Sequence, residues 1–98
     1  MMNNRDNLIS IIVPCYNEEH AIPYFYRAIT EHSTLMKNEF GVDFEYLFIN
    51  DGSVDNTLTV LKEYASKDNR VKYISFSRNF GKESAMYAGL KNASGNYI

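Results

Sequence analysis

The chain has a single cysteine, Cys15, among 98 residues. No intramolecular disulfide can form, a cysteine-based zinc site lacks its ligands, and a reducing, cytosolic setting fits. Long apolar runs are missing too. The longest, Leu8 to Val13, is interrupted by Ser10 and falls far short of the ~20 residues a membrane-spanning helix needs. Met1 to Asn7 lacks the layout of a signal peptide, and residues 1–7 are expected to be flexible. There is no basic stripe of the density that duplex nucleic acid demands, and a pI near 5.6 argues against a phosphate-backbone binder. Low-complexity tracts are absent as well.

What is present is a globular balance, with 45% apolar and 22% charged residues, enough for one unit with a thinly insulated core. The 98 residues are expected to be soluble by themselves. The formal charge of −2 is unevenly spread. Residues 1–50 carry Arg5, Arg27 and Lys37 against seven acids, whereas residues 51–98 carry seven bases against five acids, so the second half could face an anion.

Leu8 to Val13 is short, β-branched and stopped by Pro14, the pattern of a strand buried on both faces in a parallel sheet. Apolar residues then recur at Ile22, Phe25, Ile29, Met36 and Phe40, close to helical spacing, with Pro23 suited to a first turn and Gly41 to a C-cap. Phe44 to Ile49 predicts a second strand. Leu58, Leu61 and Ala65 mark a second helix whose N-cap is Asp55, Asn56 or Thr57. Val71 to Phe76 predicts a third strand, Ser77 to Lys82 a loop, and Glu83 to Asn92 a third helix. Tyr97 and Ile98 read as the first residues of a fourth strand, so the chain is expected to stop within its domain, at residues 8–98. Such alternation builds a Rossmann-like α/β fold, a parallel sheet with helices on its faces and ligands at the carboxyl ends of its strands. That rule points to three loops: Pro14 to Glu19, Asn50 to Asp55, and Ser77 to Lys82.

Asp51, Ser53 and Asp55 match the first positions of a calcium loop, but Asn56 stands where its glycine belongs, Lys62 where its glutamate belongs, and a strand precedes it. A dinucleotide fold needs G-x-G-x-x-G where this chain has PCYNEEH. Gly81-Lys82 resembles a phosphate loop, yet Glu83 follows and Phe76 replaces the leading glycine. Asp55 reads as a helix cap, while Asp51, upstream of that cap, is placed to accept hydrogen bonds from a ribose or a base. Tyr16 is either a base-covering ring or a partly buried loop aromatic. Glu18 and Glu19 either hold polar atoms of a ligand or favour a helix N-terminus. Arg78 and Lys82 either meet a phosphate or stay solvated.

Taken together, IIVPCYNEE (11–19), FINDGSVDNT (48–57) and FSRNFGKESAMYAGL (76–90) resemble the opening of family 2 glycosyltransferases of the GT-A fold. The third stretch is similar to the branch with dolichyl-phosphate mannose synthases and bactoprenol (undecaprenyl-phosphate) glucosyltransferases. The resemblance implies the nucleotide-sugar-binding half of a GT-A domain, cut at its fourth strand. It implies that Pro14, Tyr16 and Glu18 line the nucleotide, that Asp51 binds the base, that Ser53 belongs to the same site, and that Arg78, Gly81 and Lys82 lie beside it. It implies a UDP- or GDP-sugar donor, a polyprenyl phosphate or glycan acceptor, and inverting transfer serving cell-wall or glycolipid synthesis. Mg2+ or Mn2+ would be held by an acidic motif beyond residue 98, and catalytic residues and membrane segments would also lie there, leaving these 98 residues inactive alone. The whole protein would work at the cytoplasmic face of a membrane. The competing expectation is a nucleotide-binding or structural module without transferase chemistry. A parallel sheet cut at its fourth strand also exposes an edge, so self-association is expected.

Overall fold

The computed structural model describes residues 7–95. Six elements alternate along it: β1 (Leu8–Cys15), α1 (Ile22–Phe40), β2 (Asp43–Asn50), α2 (Thr57–Lys67), β3 (Val71–Ser75) and α3 (Lys82–Asn92). The expected fourth strand at Tyr97 and Ile98, and most of the expected flexible segment 1–7, lie outside the described residues. Pro23 sits in the first turn of α1, where a missing N–H costs nothing, and Gly41 ends that helix in the left-handed conformation with its N–H on the Lys37 carbonyl. Strand and helix limits match the sequence pattern to within a residue or two.

All three strands are parallel, in the order β1-β2-β3. The register pairs Cys15 with Asn50 and Asn50 with Ser75, so the strands finish in one row and the loops that follow them rise side by side. Alternation sends Phe44, Tyr46 and Phe48 of β2 to one face, where they pack with Ile22 of α1 and Leu61 of α2. Leu47 and Ile49 point the other way and meet Ala85 of α3. The result is three layers, with β2 buried along almost its whole length.

The face under α3 also holds a charge. Glu45 is 3% exposed, and its carboxylate accepts from the Ser10 hydroxyl, from Lys72 Nζ at 3.0 Å and from the Ser94 N–H at 2.6 Å. Ser10 Oγ in turn accepts the Gly95 N–H at 2.8 Å. Burial alone would raise the Glu45 carboxyl, but the Ser10, Ser94 and Lys72 donors together hold it below its ordinary value. These contacts fasten the turn after α3 to the amino ends of β1 and β2, opposite the strand ends that carry the loops.

Candidate functional site

The three loops above the strand ends are stitched to one another by backbone and side chain. The Asp51 N–H donates to the Cys15 carbonyl at 2.8 Å, continuing the β1–β2 ladder one step past the sheet. Asn17, at φ 54°, gives its N–H to Ser53 Oγ and takes the Val54 N–H on its own Oδ1, both at 2.9 Å. Asparagine tolerates the left-handed region better than most residues, which suits it to this position. Thr57, fully buried, accepts the Glu18 N–H at 2.9 Å. The Asp55 carboxylate accepts from the Thr57 N–H at 2.9 Å and the Thr57 hydroxyl at 2.5 Å, and its second oxygen takes the Glu19 N–H at 3.3 Å. Asp55 is thus structural, as a cap would be, although Asn56 occupies the N-cap position itself. Burial opposes its ionised form, but the Thr57 and Glu19 donors outweigh it and hold the Asp55 carboxyl below its ordinary value.

Between the loops lies an open cleft of about 480 Å³. Of the residues expected there, Pro14, Tyr16, Glu18, Asp51, Gly81 and Lys82 line it, together with Cys15 and Asn79. Ser53 and Arg78 lie outside that lining: the Ser53 hydroxyl serves Asn17, and the Arg78 guanidinium stands 4.7 Å over the Phe80 ring. Cys15 follows Pro14 at the end of β1, and that position alone could have marked it as a wall of the site. Burial, and secondarily the charge of Glu18, push its thiol up to about 12. It stays protonated at neutral pH, so it contributes shape and no nucleophile. Asn79 lies within the loop expected to line the site, and its role is set by Asp51, to which it donates at 3.3 Å.

The cleft combines a half-exposed tyrosine ring, an exposed carboxylate at Glu18 and an exposed ammonium at Lys82. Such a set can cover a planar group, accept from hydroxyls and attract an anion. It does not form a cation site: among the described residues no group of three or more His, Cys, Asp or Glu side chains could hold a metal ion. Asp51, the cleft's buried carboxylate, already receives donors on both oxygens. A divalent ion therefore does not fit the residues described.

The comparisons with known proteins agree with this architecture. The chain is 47% identical over 90 residues to the "Bactoprenol glucosyl transferase" of Shigella phage SfV, covering 92% of this chain and 28% of that protein. The "Prophage bactoprenol glucosyl transferase homolog" of Escherichia coli (strain K12) matches with the same identity and coverage. The chain thus spans little more than a quarter of the length of the curated relatives it matches. Among solved structures, a mannosyltransferase from Pyrobaculum calidifontis, in complex with GDP-Man and Mn2+, superposes with a TM-score of 0.71 at 22% identity, over 91% of this chain and 25% of that one. That likeness bears out the GT-A, Rossmann-like fold expected from the sequence. The model of "Glycosyl transferase family 2" matches residues 10–98, nearly the whole chain, and the chain belongs to that family.

Proposed function

We propose that this chain forms the donor-nucleotide half of a glycosyltransferase that moves a sugar from a UDP- or GDP-sugar to a polyprenyl phosphate, with inversion. The observation that carries the reading is the cleft at the strand ends, where Tyr16, Glu18 and Lys82 converge from two loops. In it the Tyr16 ring covers the base, Glu18 accepts from ribose hydroxyls, and Lys82 meets the diphosphate. The relatives that are bactoprenol glucosyl transferases by name support a polyprenyl acceptor and, with it, action beside a membrane. Among the described residues no helix is long and apolar enough to cross a bilayer.

The chemistry is an in-line displacement at the anomeric carbon. The acceptor's oxygen forms the new bond as the bond to the nucleoside diphosphate breaks, and the diphosphate leaves with the electron pair. A phosphate oxygen is already anionic, so a lipid-phosphate acceptor makes little demand on a general base. The chain's own part is to fix the donor, which turns an encounter between two substrates into an oriented attack. The divalent ion of the family, Mg2+ or Mn2+, would be held by acidic ligands beyond Ile98 and would offset charge on the departing diphosphate.

Titration of the full-length protein with UDP and GDP, by calorimetry or NMR, tests the reading. Saturable binding of at least one, perturbing Tyr16 and Lys82, is expected. Absence of binding by either nucleotide in a folded, metal-supplemented protein refutes it.

A further inference from the structure

The loop after β1 meets the cleft with its side chains and the neighbouring loop with its backbone. Three successive N–H groups end on three side-chain oxygens: Asn17 on Ser53 Oγ at 2.9 Å, Glu18 on Thr57 Oγ1 at 2.9 Å and Glu19 on Asp55 Oδ2 at 3.3 Å. Successive N–H groups in a turn form a concavity that attracts an anion, and here the anion is the chain's own Asp55. The Glu18 backbone is fixed on its other side as well, since its carbonyl accepts the Ala21 and Ile22 N–H groups at 3.0 and 3.1 Å as α1 begins. Tyr16 lies between two anchors, the Cys15 carbonyl under the Asp51 N–H and the Asn17 N–H on Ser53. Among the described residues neither the Tyr16 hydroxyl nor the Glu18 carboxylate has a hydrogen-bond partner, yet both side chains line the cleft. Their aim is set by the backbone beneath them.

Two residues carry this arrangement. Thr57 is fully buried at the head of α2, and its hydroxyl donates to Asp55 Oδ1 at 2.5 Å. With its one proton given to Asp55, the hydroxyl presents its acceptor side to the Glu18 N–H. Asn17, at φ 54°, reverses the chain between Tyr16 and Glu18, and its Oδ1 takes the Val54 N–H at 2.9 Å. Neither Thr57 nor Asn17 lines the cleft.

We propose that Thr57 and Asn17 are positioning residues of the nucleotide site: they hold the β1–α1 loop by its backbone and so aim Tyr16 and Glu18 at the base and ribose, without touching the ligand themselves. The inference rests on the reading of the cleft as a nucleotide site. Because the effect passes through Tyr16 and Glu18, it is separate from the pull of Lys82 on the diphosphate.

The test uses the full-length protein and whichever of UDP and GDP the wild type binds, followed by calorimetry. Thr57→Val keeps the shape of the side chain and removes its oxygen, and it should weaken binding by about fivefold, the scale of one hydrogen bond. Thr57→Ser restores the oxygen and should bind within about twofold of wild type. In a Tyr16→Ala, Glu18→Gln background, Thr57→Val should cost nothing further, because the side chains it aims are gone. In a Lys82→Ala background it should keep its whole effect of about fivefold. Amide exchange at Glu18 should accelerate in Thr57→Val. Asn17→Gly keeps the left-handed backbone but removes the hold on Val54, and it should follow the same pattern; thermal melts confirm folding, and Asn17→Gly carries the test should the valine variant not fold. Unchanged affinity in a folded variant, a serine that fails to restore binding, or an undiminished loss in the Tyr16→Ala, Glu18→Gln background would overturn the proposal. Wild-type protein that binds neither diphosphate instead refutes the nucleotide reading itself, so the two failures are distinct.

Discussion

Replacing Glu45 should be among the more destabilising substitutions in the chain, even though the residue lies far from the cleft. Its carboxylate is the common acceptor for the Ser10 hydroxyl, the Ser94 N–H and Lys72, at 3% exposure. Glu45→Ala removes that acceptor and strands the buried Ser10 hydroxyl, while the N–H of exposed Ser94 turns to water, giving a loss of about 2–3 kcal/mol. Glu45→Gln can turn its amide oxygen toward Ser10 and Ser94 and its NH2 toward Lys72, whose side chain is 53% exposed and free to swing into water. That swap should cost about 1 kcal/mol, the scale of a partly solvated ion pair. Against a total stability on the order of 5–15 kcal/mol, the Ala variant should show a large drop in denaturant midpoint.

The pH dependence sharpens the expectation. The folded Glu45 carboxyl lies below its ordinary value of 4.5. Its stabilisation is therefore complete above that value and is lost as pH falls through the folded one. The gap between wild type and Glu45→Gln, measured by urea unfolding, should be widest near neutral pH and close at acid pH. A gap that stays constant from neutral to acid pH, or a Glu45→Ala loss within about 0.5 kcal/mol, the range of ordinary surface substitutions, would refute the reasoning.

Asp68 should behave likewise at the other face. The Arg70 guanidinium chiefly, with the Tyr26 hydroxyl and the Arg70 N–H, outweighs burial and brings its carboxyl from 3.8 down to about 2. Unscreened, that is worth roughly 2 kcal/mol, which screening around the 40%-exposed Arg70 reduces to about 1 kcal/mol. Asp68→Asn should cost that much at neutral pH, progressively less below about pH 4 and nothing only below about pH 2, by the same unfolding assay, since a depressed carboxyl loses its contribution as pH falls through the folded value. The 98-residue chain by itself should self-associate, because among the described residues β1 has a strand neighbour on one side only. Sedimentation should show mass rising with concentration, and a monodisperse monomer would count against it.

The strands and helices were legible because each rests on a local signal: branched runs for β1 and β2, Pro23 and Gly41 for the ends of α1. Glu45 was passed over for the opposite reason. It sits inside the apolar run Phe44 to Ile49, and its partners Ser10, Lys72 and Ser94 are far away in sequence. One trace was available. Ser10 and Glu45 are each a polar interruption in a strand predicted to be buried, and two such interruptions in neighbouring strands call for each other when the register pairs them, as it does.

The cleft divides along the same line. That three loops converge follows from topology, which needs only the order of strands and helices. Which oxygen each loop turns inward depends on atoms from three separate segments. In the sequence Asp51 and Asp55 are two carboxylates four residues apart, one read for a ligand and one for a cap. The structure gives both of them backbone partners: Asp55 binds the loop after β1, and Asp51 binds the loop after β3. A carboxylate at a strand end therefore has two ways to serve a ligand, by touching it or by holding the backbone that does. The two are not exclusive at Asp51: it lines the cleft while both its oxygens hold N–H groups of the loop after β3, and a carboxylate with about four acceptor positions keeps one beyond the three that loop takes.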